Sequence, residues 1–214
     1  MNREENMESW LRVVKRLTVH GSVLLGMVFL IAHAYAQEIT FELDPAQSRV
    51  QFTLGATFHE VHGTFQLRRG TIHFNAATGE AGGSLIVDAS SGNTGNEGRD
   101  RRMHRQILED QKYPEIVFTA QHVSGKLGAQ GTSQMELQGL LSLHGEQHPI
   151  TFTVPVQVNQ DQASAEVHFI LPYMKWGLKN PSTFVLRVSD KVSVDVRAVG
   201  RLSSVASAHG PSGS

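Results

Sequence analysis

Ile150, Phe152, Val154, Val156 and Val158 occupy every second position of one stretch, with Thr, Pro and Gln between them. Successive side chains of a strand point to opposite faces, so this spacing predicts a strand with one buried face. The same period recurs in Val50/Phe52/Leu54, Leu137/Gly139/Leu141/Leu143, Val167/Phe169/Leu171, Phe184/Leu186/Val188 and Val192/Val194/Val196. It predicts strands over 39–43 and 48–54, broken at Asp44-Pro45. A hairpin of 63–69 and 71–75, turning at Gly70, follows. Further strands are expected over 84–89, 115–123, 134–143, 149–158, 165–171, 183–188 and 191–202. The breaks between them are short and rich in Gly, Asn and Asp, residues that tolerate turn geometry, so the pairing is expected to be antiparallel. Many strands with at most one helix imply an all-β sandwich or closed barrel. In a barrel the apolar faces line an interior, and whether that interior is filled or hollow decides what it does.

One interval breaks the period. Residues 90–98 are Ser, Gly, Asn, Thr and Glu, and Arg99 to Asp110 then place Met103, Ile107 and Leu108 near one helical face among charged residues. This predicts a short amphipathic helix of about three turns, ended by Tyr113-Pro114. A long excursion from a compact β-domain is usually functional, so this helix is the candidate gate at the mouth.

Composition changes the picture little. The 214 residues are 40% hydrophobic and 18% charged with a formal net charge of −1, a balance that gives no pull towards nucleic acid, so no nucleic-acid partner is expected. The ends change it more. Arg12, Lys15 and Arg16 precede an apolar run from Val23 to Ala32 and then Ala34-Tyr35-Ala36, the layout of a secretory signal cut before Gln37. The run is about ten residues, short of the roughly 20 that span a bilayer. An uncleaved N-terminal anchor is the alternative. Residues 1–36 are therefore expected to be a signal peptide, 37–202 one β-domain without a stable membrane span, and 203–214 a disordered tail. Localisation is expected to be periplasmic or secreted. With no Cys, stability must come from the core rather than from disulfides.

Several segments together resemble the YceI-like, polyisoprenoid-binding family. They are Leu-Asp-Pro-x-x-Ser-x-Val-x-Phe from Leu43 to Phe52; His62-Gly63-Thr64-Phe65 with Ile72-His73-Phe74-Asn75; and Gly83 to Ser91. Gly98-Arg99-Asp100 with Met103 and Ile107 follows, then Lys112-Tyr113-Pro114-Glu115-Ile116-Val117-Phe118, Leu137 to Gly145, and Pro149-Ile150. The resemblance runs from about Phe41 to Gly200. It departs from the family in Leu108-Glu109-Asp110, where a bulky aromatic pair is usual. It implies an antiparallel, lipocalin-like barrel of about eight strands with one short helix at the mouth, holding a long isoprenoid or fatty chain.

On that footing Phe52, Phe65, Met103, Ile107, Phe118, Leu141, Phe152 and Phe169 are the candidate lining residues, and His59, His62 and Arg99 the candidates for a ligand's head group. The expected function is non-catalytic carriage or sequestration of an isoprenoid, quinone-like or fatty molecule in the periplasm. A filled barrel acting as a structural or partner-binding module is the alternative. Eleven histidines raise the question of a metal. Yet the pairs His59/His62 and His144/His148 fall in strands or turns, and no Cys or carboxylate completes a set. No metal and no cofactor is expected. No Gly-x-Ser-x-Gly elbow, phosphate loop or His-Glu-x-x-His helix is present, so no enzyme is expected. The oligomeric state is left open by the residues.

Overall fold

The computed structural model of the protein describes residues 37–183 and 187–206. The signal-peptide assignment for 1–36 lies outside the described residues, as do 207–214. Nine strands make one antiparallel sheet: β1 (Gln37–Leu43), β2 (Arg49–Gly55), β3 (Glu60–Asn75), β4 (Ala81–Asn93), β5 (Glu115–Gly125), β6 (Gly131–Leu143), β7 (Glu146–Asn159), β8 (Gln162–Leu171) and β9 (Val192–Ala206). From β2 to β9 each strand pairs with the next in sequence, β8 with β9 across a long connection. β2 then pairs with β9 and closes the ring.

β1 and β2 share one stave of that ring. Both pair antiparallel with β3 and with β9. β1 meets Thr71 to Asn75 of β3, and β2 meets Glu60 to Phe65. The barrel thus has eight staves, the first interrupted by residues 44–48. The interruption explains the Leu-Asp-Pro-x-x-Ser segment. Asp44 turns the chain by accepting from Ala46 N and from Gln47 Nε2, at 2.9 and 2.7 Å. Ser48 Oγ then fills the gap left in the ladder, accepting from Val199 N at 2.9 Å and donating to the Asp44 carbonyl at 2.7 Å. Backbone groups of β9 that would otherwise be orphaned are thereby satisfied.

Three sequence expectations are corrected. Residues 63–75 are not a hairpin turning at Gly70 but part of the single 16-residue β3. A Cβ at Gly70 would press against Ser84 O and the Leu85 side chain at 2.8 and 2.5 Å, so this glycine serves a close strand crossing rather than a turn. Bulges beside Gln66 and Arg69 bend the long strand around the barrel. The expected strand over 183–188 is absent among its described residues, where Val188 alone makes one bridge, to Ala56. Finally, β9 runs to Ala206, four residues past the expected end of the domain, because β1 pairs with it as far as Gln37.

The helical excursion is present but not as one α-helix. Glu97–Arg102 is α-helical (α1) and Met103–Leu108 is a π-helical turn. Asn96 caps α1, its side chain accepting from Arg99 N at 3.0 Å. At 3.6 residues per turn, residue 108 would lie about 140° around the helix from residue 103. The wider turn returns Leu108 to the face of Met103, and all three apolar side chains, Met103, Ile107 and Leu108, reach the barrel interior.

Two ends of the barrel differ. The connections at residues 56–59, 94–114, 144–145 and 172–191 share one end, and 76–80, 126–130 and 160–161 share the other. The first end carries both long connections. His144 and Gly145 both have positive φ, 54° and 86°, which is the two-residue hairpin geometry matched to strand twist. Across the mouth, Tyr173 and Leu178 of the connection 172–191 are buried against Leu108, Leu141 and Leu143.

Candidate ligand-binding site

The barrel interior is not filled. A cavity of about 800 Å³ runs down it, from Ala56, Thr94 and Pro181 at the mouth to Phe74, Met135 and Leu202 toward the far end. That size is within the range of sites that bury a drug-sized ligand. Its wall follows from strand alternation. Phe152, Val154 and Val156 of β7, Val167 and Phe169 of β8, and Val192, Val194 and Val196 of β9 all point inward. Among the described residues no polar or charged residue is fully buried. Polar groups on the cavity wall are confined to one end: His59, Thr94, Arg99 and Arg102 at the mouth, with Tyr173 beside them.

All eight residues named from the sequence as lining candidates sit on this wall. Phe118, Phe152 and Phe169 form a run of tilted rings with centroids 5.6 and 5.0 Å apart, and Phe52 and Phe65 a second pair at 5.4 Å. These separations are typical of favourable edge and offset contacts. Of the head-group candidates, His59 and Arg99 reach the wall and His62 does not. His62 lies on the outer face of β3, where its Nδ1 is 2.9 Å from Thr53 Oγ1. Its position was readable: Val61, Gly63 and Phe65 share the inward parity, which turns residue 62 out.

Arg99 is largely committed to its own loop. Its Nε donates to Thr94 Oγ1 at 2.8 Å and its Nη2 to the Thr94 carbonyl at 3.0 Å, while Asp100 accepts from Thr94 N at 3.0 Å. Arg102 was missed. It lines the mouth, and among the described residues no carboxylate is within ion-pair distance of it. Also missed were Tyr173, Leu178 and Pro181, which line the cavity from an aperiodic loop. No pattern signals such residues.

The helical excursion and the connection 172–191 are tied together over the mouth. Lys179 Nζ donates to Glu109 Oε1 at 3.0 Å, and His144 Nε2 lies 3.8 Å from the same oxygen. Glu109 adopts positive φ, 49°, at the end of the π-helical turn. His104 anchors the same segment, with Nδ1 2.8 Å from Asp110 Oδ2 and Nε2 2.9 Å from the Gly92 carbonyl. Trp176 stacks flat on His148 of β7, with centroids 4.1 Å apart, and Tyr173 donates its phenol to the Ser189 carbonyl at 2.6 Å. Burial pushes the Tyr173 phenol upward, so it stays a donor at neutral pH.

The hydrogen bond from Lys179, then its charge, hold the Glu109 carboxyl below the usual carboxylate range, with His144 and Lys112 adding to the effect. Because the folded value is depressed, the stabilisation is present above the unfolded value of about 4.3 and is lost as pH falls through the folded one. Glu109→Gln is therefore expected to lower Tm slightly at neutral pH, by about 1–2 °C for an exposed pair, with the difference vanishing in acid. Thermal melts of both proteins across pH check this. A difference that grew in acid would contradict the tether.

Comparisons with known proteins agree with this geometry. Residues 41–199 match the profile of the YceI-like domain. Two proteins described as UPF0312, from Pseudomonas savastanoi pv. phaseolicola and Pseudomonas syringae pv. tomato, are each 31% identical over 136 residues, which is 61% of this chain and 68% of theirs. Among solved structures, Burkholderia cenocepacia BcnA superposes with a TM-score of 0.61 at 16% identity, covering 74% of this chain and 99% of that one. A polyisoprenoid binding domain from Saccharophagus degradans, described as implicated in plant cell wall breakdown, superposes with a TM-score of 0.56 at 21% identity, covering 75% and 97%. At these identities the structural likenesses show the shared fold.

Proposed function

Given that the chain belongs to the YceI-like family, we propose that it is a binding protein that carries or sequesters one long apolar molecule with a polar end, an isoprenoid, quinone-like or fatty compound, and performs no chemistry on it. One observation carries the reading: the cavity is apolar along its length and polar at its mouth alone. A slender hydrocarbon needs no hydrogen-bond partner inside, whereas its head group needs one at the end. Burying a methylene is worth about 0.8 kcal/mol, so a chain of roughly ten or more carbons offsets the cost of immobilising it. The description of the Saccharophagus degradans domain as polyisoprenoid binding favours the isoprenoid class within this reading. The basic, apolar and small-x-small sequence before Gln37 supports a site of action outside the cytoplasm, in the periplasm of a bacterial cell.

The test is a titration of the delipidated protein with an apolar fluorescent probe, followed by competition with a long-chain isoprenoid alcohol. One probe per chain, displaced by the alcohol and not by a short alcohol of the same head group, is expected. No uptake of probe by folded protein would overturn the reading and return the barrel to a structural module.

A further inference from the structure

The three large apolar side chains most exposed among the described residues all lie at the mouth end. Phe58 is 83% exposed, Ile170 53% and Met174 42%. Phe58 is in the β2–β3 turn and Ile170 points outward at the end of β8, beside Ser193 of β9. Met174 follows the buried Tyr173 in the connection 172–191. Hydrogen bonds join the turn that carries Phe58 to the connection that carries Met174. Thr57 N donates to the Arg187 carbonyl at 3.0 Å, Asn180 Nδ2 donates to the Val188 carbonyl at 3.3 Å and lies 3.0 Å from Met174 Sδ, and Ser189 N donates to the Gly55 carbonyl at 2.8 Å. A turn tip with an almost wholly exposed Phe gains nothing for the fold.

Charge is polarised the same way. The connections at the mouth end hold nine Lys and Arg against five Asp and Glu, although the whole chain is at −1. The connections at the opposite end hold Lys126 against Glu80 and Asp161. Among the described residues, Arg101, Arg105, Lys175, Arg187 and Lys191 are exposed and make no ion pair, so their charge is available to a partner. Apolar tips flanked by free cations match an interface whose surface is anionic and whose interior is hydrocarbon.

We propose that the mouth end docks on an anionic lipid bilayer, with Phe58, Met174 and Ile170 entering the acyl boundary and the free cations resting on the head groups. The purpose assigned to docking rests on the cargo reading above. It sets the mouth of the cavity against the hydrocarbon from which an apolar molecule would enter or to which it would leave. The attachment is peripheral and reversible. Among the described residues no helix is long and apolar enough to cross a membrane.

Flotation of the delipidated protein with vesicles tests it. With vesicles of equal parts phosphatidylglycerol and phosphatidylcholine, the protein is expected to float, at least tenfold more than with phosphatidylcholine alone, and to be released as salt rises. Phe58→Ser, at an exposed turn tip that folding does not need, is expected to lower partitioning about tenfold. Lys175→Glu with Lys191→Glu is expected to abolish the preference for the anionic vesicles. Probe binding in solution should be unchanged in both variants, which separates a failure of docking from a failure of cargo binding. Absence of flotation, or equal flotation by Phe58→Ser, would overturn the proposal. Absence of flotation together with a dimer that Phe58→Ser dissolves would assign the rim to a second copy of the chain instead.

Discussion

Phe152→Asp is expected to empty the barrel of cargo. Phe152 stands between Phe118 and Phe169 on the cavity wall, with ring centroids 5.6 and 5.0 Å away. No polar residue on the described wall could neutralise a carboxylate at that depth, because the polar groups are gathered at the mouth. In the empty cavity water can hydrate the carboxylate, whereas a hydrocarbon chain would displace that water. An ionised carboxylate left unpaired against hydrocarbon costs several kcal/mol. Affinity for an apolar ligand should therefore fall at least about a hundredfold, equivalent to about 2.8 kcal/mol. Phe169→Leu, which keeps the wall apolar, should hold affinity within about threefold. The probe titration measures both, with circular dichroism reporting the fold. Should Phe152→Asp not fold, Phe152→Ser places an unpartnered hydroxyl at the same depth and should lower affinity in the same direction by a smaller factor. Undiminished affinity in either folded variant would contradict the cavity as the binding site.

Gly139→Val is expected to destroy the fold. Gly139 faces inward on β6 beside Phe118 of β5, and its backbone pairs with Ala120. A Cβ there would overlap the Thr119 carbonyl oxygen and meet the Phe118 ring at 2.7 Å. The oxygen belongs to a ladder and cannot swing away, so the two strands must separate. Overpacking of this kind costs about 1–3 kcal/mol where side chains can shift, and more where the obstacle is backbone. Tm should fall by roughly 10 °C or the protein should fail to fold at all. Gly95→Asn is the comparison. Gly95, unlike Gly139, has positive φ, 75°, but nothing lies within 4 Å of a Cβ there, and Asn tolerates that region better than other side chains. Its loss should stay under about 1 kcal/mol. Equal melting of the Gly139→Val protein and the parent would contradict the strand crossing.

Strand parity accounts for what could be read from the residues. Phe152 and Phe169 are legible as inward because each sits in an unbroken two-residue period, and the structure puts both on one wall with Phe118. The helical excursion was legible because nine polar and small residues interrupt that period before Met103 and Ile107. Its π-helical turn was not, since α and π spacing differ only in which of Ile107 and Leu108 follows Met103 around. Closure through a shared stave was hidden too. The Asp44-Pro45 break marks an end of β1, yet nothing local says that β2 resumes the same line against β3 and β9. Gly70 misled for a physical reason. A glycine that relieves a strand crossing and one that makes a turn look alike in sequence. Residues 172–182 offered no period at all, although Tyr173 and Leu178 among them are buried at the mouth. Above all, alternation places side chains inside a barrel without stating whether they meet across it. The volume of about 800 Å³ is a property of the assembled ring.

The most direct measurement is native mass spectrometry of the untagged protein as recovered from bacterial cells, followed by organic extraction of the same sample and identification of what is released. A single apolar adduct at one per chain, lost on extraction and restored by adding the identified compound, is the predicted result. A clean mass both before extraction and after incubation with isoprenoids and fatty acids, in protein shown to be folded, would contradict the carrier account.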